Sequence, residues 1–243
     1  MKYIISYGKD GCPMAWLSAH SLLCLLLLAG VLTFLWLWLQ RGRLNLRPGW
    51  TPVLAAGHVL LGVLCVKLFA ILEAGSLRSA GNMSLFGAVF ALPLFYYFGA
   101  RLTKRRVGEV FDVFVVPMVF TLACARVNCL ISGCCLGKPI PGTDLRYPTR
   151  ELELIFYVIL LSWMVIRTKR RNTGGILYPI YMIAYGAFRF VIEFFREGAD
   201  SLFHIAHLWA MLCLMIGIGF FLETRRSSRK SKPTSRTHRR KRK

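Results

Sequence analysis

Two things are scarce in this sequence: polar stretches of domain length and acidic residues. Of its 243 residues, 56% are apolar, and the mean hydropathy is +0.51. Asp and Glu together number only 11, against 32 Lys and Arg. A soluble domain of this length would not be so apolar, so the composition excludes a soluble globular protein. The sequence also lacks an internal repeat and a pair of interrupted helices at matching positions, which argues against a transporter.

Seven apolar segments come near the roughly 17–25 residues that a helix needs to cross the hydrocarbon of a bilayer. Backbone in contact with lipid must satisfy its own hydrogen bonds, so each segment is predicted to be a helix. The predicted fold is therefore an all-α polytopic membrane protein with about seven transmembrane helices. The predicted helices cover residues 15–39, 52–73, 83–100, 107–125, 152–167, 175–194 and 203–222. The fifth is short, and the fourth carries Glu109 and Asp112 at its start.

Lys and Arg are concentrated in alternate gaps between these segments. Of the 32 basic residues, 22 lie within residues 40–51, 101–106, 167–173 and 225–243. Short cytoplasmic loops collect Lys and Arg, so the N-terminus is predicted to lie outside and the C-terminus in the cytoplasm. Residues 1–223 form the predicted membrane domain, and residues 224–243 form a disordered basic tail. The tail is predicted to lie on anionic inner-leaflet lipid. Contact with nucleic acid is the less favoured alternative, and no specific nucleic acid partner is expected.

Charged residues inside apolar segments cost roughly 2.5–3.5 kcal/mol each, so each needs a reason. The residues concerned are Lys67, Glu73, Arg126, Arg189, Glu193 and Arg196. Arg189 and Glu193 are four residues apart and share one helix face, where they can pair. The set is either a structural group of salt bridges or an anion-binding pocket, and the pocket is favoured. Arg126 and Arg189 suit the phosphate of a phospholipid head group, because a guanidinium can donate two charge-assisted hydrogen bonds at once.

Histidine is the side chain that most readily exchanges a proton near neutral pH. On the predicted outer side of the membrane it occurs at positions 20, 204 and 207. Packing at the interface or in the core is the favoured interpretation for each of these three residues.

Four of the eight cysteines fall on the predicted outer side: Cys12 in the N-terminal arm, and Cys129, Cys134 and Cys135 in the gap 126–151. An outer compartment permits disulfides, although adjacent cysteines do not readily bridge each other. The CxxxxCC spacing has no nearby histidine and is a weak signal for zinc. Packing within a turn-rich loop is favoured for these thiols, and a disulfide or a metal site stays open.

Three motifs resemble one known family. Residues 126–138 read RVNCLISGCCLGK and resemble the signature of prolipoprotein diacylglyceryl transferases, in the form of divergent members with a paired cysteine. Residues 146–153 (RYPTRELE) resemble the family's following His-Pro-Ser/Thr-Gln-x-x-Glu element, with Tyr147 in place of its His. Residues 185–196 (YGAFRFVIEFFR) resemble its sixth-helix motif most specifically. The resemblance extends over residues from about 50 to 222.

The resemblance implies a bacterial plasma-membrane enzyme that moves a diacylglyceryl group from phosphatidylglycerol to the lipobox cysteine thiol of a prolipoprotein, with no cofactor or metal. Arg126 and Arg189 match the family's essential arginines and would hold the phosphate and stabilise the leaving group. Glu193 would orient Arg189, and Arg196 would support the same cluster. In the signature, Cys129 replaces an Asn and would contact substrate, while Gly133 and Gly137 would let the loop backbone pack closely against lipid.

The sequence departs from the family at the proposed base. The family's third helix begins with His-Gly-Gly, whereas Phe86 stands at the histidine position here. The free thiol of an acceptor cysteine has a pKa of about 8.5, so only a small fraction of it is ionised at neutral pH. His20, Cys129 or a substrate phosphate oxygen could activate it, and His20 is the predicted catalytic residue. The enzyme could also use another acceptor. The alternative function is a non-catalytic phospholipid-binding or scaffold protein on the same fold.

Overall fold

The computed structural model of the chain describes residues 13–75, 84–102, 104–168, 173–197 and 205–230. The described residues form seven α-helices, and their only strand-like contacts are two isolated β-bridges. The helices are α1 (Pro13–Leu44), α2 (Trp50–Ala74), α3 (Phe86–Leu102), α4 (Val107–Ser132), α5 (Thr149–Thr168), α6 (Leu177–Glu193) and α7 (Ile205–Lys230). Each falls on one of the seven predicted apolar segments. The prediction of an all-α fold is confirmed.

Four of these helices are long and apolar enough to cross a membrane by length and composition. The spans are His20–Leu44 in α1, Trp50–Glu73 in α2, Val107–Ser132 in α4 and Ile205–Ser227 in α7. Their outward faces carry large apolar side chains, such as Leu39 and Leu72, which are 75% and 77% exposed. Exposed apolar faces of this kind need lipid around them. The protein is therefore a multi-pass membrane protein, while membrane crossing by α3, α5 and α6 stays a prediction.

Helix α4 is the centre of the bundle and packs against α1, α3, α5 and α6. Its middle is buried on all sides, which explains why the run from Val110 to Val119 is apolar except for Asp112. The indole of Trp36 on α1 donates a hydrogen bond to the carbonyl of Val113 at 2.9 Å. Helix α4 can therefore present residues at its end to several neighbouring helices at once.

Helices α6 and α7 lie unusually close together because glycines remove side chains from their interface. A Cβ atom at Gly186 would come within 2.7 Å of the backbone oxygen of Ala210. A Cβ atom at Gly217 would come within 2.8 Å of the backbone nitrogen of Ile183. Small residues allow this kind of close helix packing in membranes. The contact fixes α6, which carries the most specific sequence motif.

Asp112 explains why an acidic residue occurs near the start of α4. Its carboxylate is fully buried and accepts hydrogen bonds from the backbone N–H groups of Gly175, Leu177 and Tyr178, at 2.9, 2.8 and 3.4 Å. The first N–H groups of a helix have no partner within the helix, and a carboxylate satisfies them well. Asp112 therefore anchors the beginning of α6 against α4.

The predicted boundary of the tail differs from the structure. Helix α7 continues as far as Lys230, so residues 224–230 are helical and the prediction of disorder from residue 224 is wrong for them. The apolar face of α7 ends near Leu222, but the polar residues that follow can continue the backbone hydrogen bonds in water. Cys12, His204 and residues 231–243 lie outside the described residues.

Candidate active site

A cavity of about 570 Å³ opens at one end of the helix bundle. It lies near the ends of α2, α4 and α6 and near the beginnings of α1, α3 and α7, as expected for helices that alternate in direction. Residues from several helices and one loop line it, namely Leu22, Glu73, Ser84, Leu85, Phe86, Ala125, Arg126, Asn128, Cys129, Cys134, Cys135, Tyr185, Arg189, Glu193, Arg196 and Ala206. Part of the wall is apolar, and the rest carries most of the charged residues that the sequence places in apolar segments.

Two arginines of this wall meet at one buried carboxylate. The guanidinium of Arg126 on α4 pairs through Nε with Oε2 of Glu153 on α5. Arg189 on α6 donates from Nη1 to Oε1 of the same carboxylate at 2.8 Å. The exposed fractions of Arg126, Arg189 and Glu153 are only 3%, 5% and 2%. Glu153 therefore holds the guanidinium groups of two different helices side by side at the cavity.

The ion pairs continue beyond Glu153. Nη2 of Arg189 lies 3.0 Å from Oε2 of Glu193, and Nη1 of Arg196 lies 3.5 Å from the same oxygen. We refer to Arg126, Glu153, Arg189, Glu193 and Arg196 as the arginine cluster. Three guanidinium groups face two carboxylates in this cluster, which leaves one positive charge. Glu73 lies across the cavity on α2, is exposed, and accepts a hydrogen bond from Trp209 at 3.2 Å.

Glu153 is not among the site residues predicted from the sequence, although the sequence of α5 contains a signal for it. The buried residues of α5 are Thr149, Glu153, Tyr157, Leu160, Met164 and Thr168. They recur at spacings of three or four, which is the period of one helix face. A glutamate within such a buried face needs a cationic partner. The helical period of α5 could therefore have identified Glu153.

The loop between α4 and α5 folds back onto the end of α6. Lys138 donates its backbone N–H to the carbonyl of Phe195 at 2.8 Å, and Glu197 donates to the carbonyl of Leu136 at 3.0 Å. These bonds join the loop to the segment that carries Arg196. The loop therefore forms part of the cavity wall, with Cys134 and Cys135 on its inner side.

The two loop glycines each have a role in this backbone arrangement. Gly133 ends α4 in the left-handed region, with φ of 70°, which favours glycine. Gly137 is buried, and a Cβ atom there would collide with the backbone oxygen of Tyr147. Among the described residues that line the cavity, neither glycine occurs. The prediction that they pack against lipid is not supported by their positions.

Three cysteines line the cavity beside the arginine cluster. Cys129 donates to Sγ of Cys135 at 3.9 Å, and Arg126 Nη1 lies 4.0 Å from Sγ of Cys129. This hydrogen bond from Cys129 lowers the pKa of Cys135 below its usual range, and the nearby Arg196 and Arg126 act in the same direction against partial burial. None of the seven described cysteines forms a disulfide.

The family model of prolipoprotein diacylglyceryl transferase matches residues 21–223. The chain belongs to the prolipoprotein diacylglyceryl transferase family. The family prediction made from the three motifs is confirmed.

Several curated relatives are each named phosphatidylglycerol–prolipoprotein diacylglyceryl transferase. The one from Dehalococcoides mccartyi strain BAV1 is 25% identical over 186 residues, which cover 66% of this chain and 72% of the relative. The one from Rhizobium meliloti is 26% identical over 187 residues, covering 68% and 66%. The one from Clostridium tetani is 23% identical over 163 residues, covering 60% and 66%. The similarity therefore extends over most of the membrane domain at low identity.

The structure does not bring His20 to the cavity of this transferase-family protein. Its side chain is exposed, and among the described residues lining the cavity it does not occur. The next two residues of α1 point inward instead: Ser21 donates to Asn128 at 2.8 Å, and Leu22 lines the cavity. Successive residues of a helix are turned by about 100°, so His20 faces away when its neighbours face inward. The structure therefore does not place His20 among the residues that line the cavity, and its role as the base stays a prediction.

The structure also shows the contacts of His207 and Phe86. His207 on α7 is buried, and its ring lies 4.4 Å from that of Phe194, which fits the predicted packing role. Phe86, at the position of the family's histidine, lines the cavity and lies under Arg189, whose guanidinium carbon is 5.5 Å from the ring centroid. A cation over an aromatic face is stabilised electrostatically. Phe86 therefore helps to position Arg189 but cannot take a proton.

Proposed function

We propose that this protein transfers the diacylglyceryl group of phosphatidylglycerol to the lipobox cysteine thiol of prolipoproteins. One observation carries the proposal: Arg126 and Arg189, from two helices of a membrane bundle, meet at the buried Glu153 on the wall of a single cavity. The names of the curated relatives support the same reaction. Lipoprotein maturation is then the process in which the protein acts.

The charge of the arginine cluster supports an anionic substrate. Its three guanidinium groups and two carboxylates leave one positive charge, which matches the single negative charge of a phosphodiester. Guanidinium groups carry five N–H donors each and bind phosphate oxygens in pairs. The Nε atom of Arg189 is buried without a hydrogen-bond acceptor among the described residues. A phosphate beside Arg189 would add acceptors to a cluster that is rich in donors.

The size and the wall of the cavity support a lipid head group. Its volume of about 570 Å³ lies within the roughly 300–1,000 Å³ that is usual for small-molecule sites. Leu22, Leu85 and Ala206 make the remaining wall apolar beside the charged side. A phospholipid has the same division at the glycerol, where the polar head meets the acyl chains.

The proposed reaction is a displacement at the glyceryl carbon. The sulfur of the acceptor cysteine attacks the carbon that bears the phosphate, a C–S bond forms, and the C–O bond to phosphate breaks. Glycerol phosphate leaves with the electron pair, and the thiol proton is released. Negative charge develops on the departing phosphate, where Arg126 and Arg189 already lie. Groups held in place before the reaction stabilise such charge most effectively.

The proposed orientation follows from the distribution of Lys and Arg. With the basic gaps in the cytoplasm, the cavity lies at the outer face of the bacterial plasma membrane. Prolipoproteins would reach it from the membrane with the lipobox at the outer surface. The basic residues after α7 would then lie near anionic inner-leaflet lipid and contribute about 1 kcal/mol each.

A transfer assay tests the proposal. Purified protein in lipid nanodiscs is given phosphatidylglycerol with a labelled diacylglyceryl group and a lipobox peptide, and mass spectrometry detects the thioether product. A peptide with serine in place of the cysteine should give no product. Arg126→Ala should abolish transfer, whereas Arg101→Ala should retain it, because Arg101 is exposed and contacts Tyr97. A wild-type protein that binds phosphatidylglycerol without forming product would contradict the proposal.

The same assay covers the second candidate function, a lipid-binding protein without transfer activity. Phe86 favours this candidate, because the family's histidine position has lost its base here. Retained binding of phosphatidylglycerol together with absent product is the expected result for it.

A further inference from the structure

The three cysteines of the cavity have a geometry that their spacing in the sequence does not reveal. Cys129 lies in the last turn of α4, while Cys134 and Cys135 follow the turn at Gly133. The fold brings all three sulfur atoms within 4.8 Å of one another. The sequence pattern is weak for zinc because two of the thiols are adjacent and no histidine is near. In space, however, they form a compact group of three.

The distances between the sulfurs are those of a metal site. A zinc–sulfur bond of about 2.3 Å in tetrahedral geometry places two ligand sulfurs about 3.8 Å apart. Sγ of Cys129 and Sγ of Cys135 are 3.9 Å apart. Sγ of Cys134 lies within 4.8 Å of both.

The backbone that carries these thiols is held from α5. Arg150 donates from Nη1 to the carbonyl of Cys129 at 3.4 Å, and Thr149 donates from Oγ1 to the carbonyl of Cys135 at 3.5 Å. Cys135 has a φ of 57°, a left-handed conformation that is unfavourable for a residue other than glycine. The hydroxyl of Ser132 lies 3.4 Å from Sγ of Cys134. Such supporting contacts orient the ligands of metal sites.

We propose that Cys129, Cys134 and Cys135 bind one thiophilic divalent cation of the zinc class, and that the acceptor thiol becomes its fourth ligand. Three protein ligands with one open position are typical of catalytic zinc sites, whereas structural sites have four. All three cysteines line the cavity that Arg126 and Arg189 also line, so a fourth ligand would share this cavity with the proposed phosphate. This inference rests on the proposed transfer function.

The cation would ionise the acceptor thiol, a task that Phe86 cannot perform because it is not a base. A thiol bound to a divalent cation loses its proton, and metal coordination is one of the ways to activate a nucleophile. The acceptor thiol would release its proton to solvent on binding, and its sulfur would then attack the glyceryl carbon. Glycerol phosphate leaves with the electrons of the broken C–O bond. The thioether product is a poorer ligand than a thiolate and dissociates, so no oxidant or reductant is required.

The neighbouring charges fit such a centre. A divalent cation with three thiolates carries one negative charge, and a fourth thiolate adds another. Arg126 lies 4.0 Å from Sγ of Cys129 and offsets this charge. The same guanidinium belongs to the arginine cluster, so the nucleophile and the leaving group would be held by connected residues.

Metal binding is tested first, on the full protein in detergent. Apoprotein is titrated with Co²⁺, whose thiolate complexes absorb in the near ultraviolet, and bound Zn²⁺ is counted by elemental analysis after desalting. We expect one equivalent of either ion. The variants Cys129→Ser, Cys134→Ser and Cys135→Ser should each weaken binding at least tenfold, whereas Cys24→Ser on α1 should bind as the wild type does. Absent binding, or a disulfide between Cys129 and Cys135 in protein purified without oxidant, would overturn the proposal.

Entry of the acceptor thiol is tested with the Co²⁺ protein and the lipobox peptide. The peptide should increase the thiolate absorption by about one third, from three sulfurs to four, and its serine form should leave the spectrum unchanged. An unchanged spectrum with the cysteine peptide overturns the inference. Transfer that continues undiminished after removal of metal by a chelator also overturns it, while the proposed function stands. Metal-loaded protein that binds the peptide thiol and forms no product would contradict the proposed function and leave the metal site intact.

Discussion

The two most deeply buried carboxylates among the described residues serve different purposes. Asp112 and Glu153 are 0% and 2% exposed. Asp112 accepts its hydrogen bonds from three backbone N–H groups at the start of α6, within the core. Glu153 pairs with Arg126 and Arg189, two side chains that line a cavity. Burial of a charge therefore does not mark a functional site, and the groups that the charge contacts decide its role.

The two carboxylates differ in how many hydrogen-bond donors they leave unused on the groups that they contact. Backbone N–H groups have one hydrogen each, so those bound to Asp112 are fully used. A guanidinium has five N–H donors, and Glu153 uses only part of those of Arg126 and Arg189. Asp112 completes the hydrogen bonding at the start of α6, whereas Glu153 fixes two guanidinium groups that can still bind a ligand. The following predictions test this difference and the site around Glu153, from the largest expected effect on activity or stability to the smallest.

Arg189→Ala should have the largest effect, with loss of transfer by at least about 100-fold. Removal of one preorganised donor from a developing negative charge costs roughly 10²–10³ in rate, and this substitution also leaves Glu193 without its closest partner. The measurement is the rate of thioether formation under saturating phosphatidylglycerol. Arg189→Lys keeps the charge and should recover only part of the rate. Full activity in Arg189→Ala would remove the arginine cluster from the mechanism.

Glu153→Gln should lower transfer by about 10- to 100-fold and also destabilise the protein. The two guanidinium groups would then repel each other without a carboxylate between them, and loss of one partner of a buried ion pair costs about 3–5 kcal/mol. Transfer and thermal unfolding in detergent are both measured. Glu109→Gln is the matched control, since Glu109 is partly exposed and pairs with Arg106 only at 3.9 Å. An unchanged rate would show that Glu153 does not position the arginines.

Asp112→Asn should leave transfer per folded molecule unchanged while lowering the free energy of unfolding by about 1–3 kcal/mol. The amide has one acceptor oxygen in place of two, so a buried N–H at the start of α6 would lose its partner. Thermal unfolding is compared with Asp144→Asn, which changes an exposed residue of the loop after α4. A specific loss of transfer in the folded Asp112→Asn protein would contradict the distinction between the two carboxylates.

Phe86→His should change transfer only slightly, to within about threefold of the wild type or slightly above it. The substitution restores the base that the family places there, but a base adds little if the acceptor thiol is already ionised. The rate of thioether formation is measured against that of Phe90→His, a neighbour in the same aromatic group. A large loss in Phe86→His alone would mean that the ring under Arg189 is needed for activity.

Some parts of the site could be predicted from the sequence. Arg126 and Arg189 were recognisable because a charge within an apolar helix is costly and needs a reason. Glu153 was overlooked because it follows Arg150 and Glu151, a charged stretch that is common where a helix leaves the membrane. Its position on the buried face of α5, together with its place as the final Glu of the motif at residues 146–153, distinguishes it from these neighbours.

Other parts could not be predicted, because they depend on contacts between distant segments. The direction of His20 depends on how α1 is rotated against α4, which is fixed by contacts such as Ser21 with Asn128. The role of Gly137 depends on the backbone of Tyr147 beside it. The grouping of the three cysteines depends on the turn at Gly133 and on anchoring by α5.

The sequence by itself determined the seven described helices and the presence of two arginines within apolar segments, because the length of apolar segments and the cost of buried charge are local properties. The tertiary structure alone decided which charges meet, which carboxylate only anchors a helix and which thiols come together. Those outcomes depend on the rotation and close approach of whole helices, and no single segment contains that information.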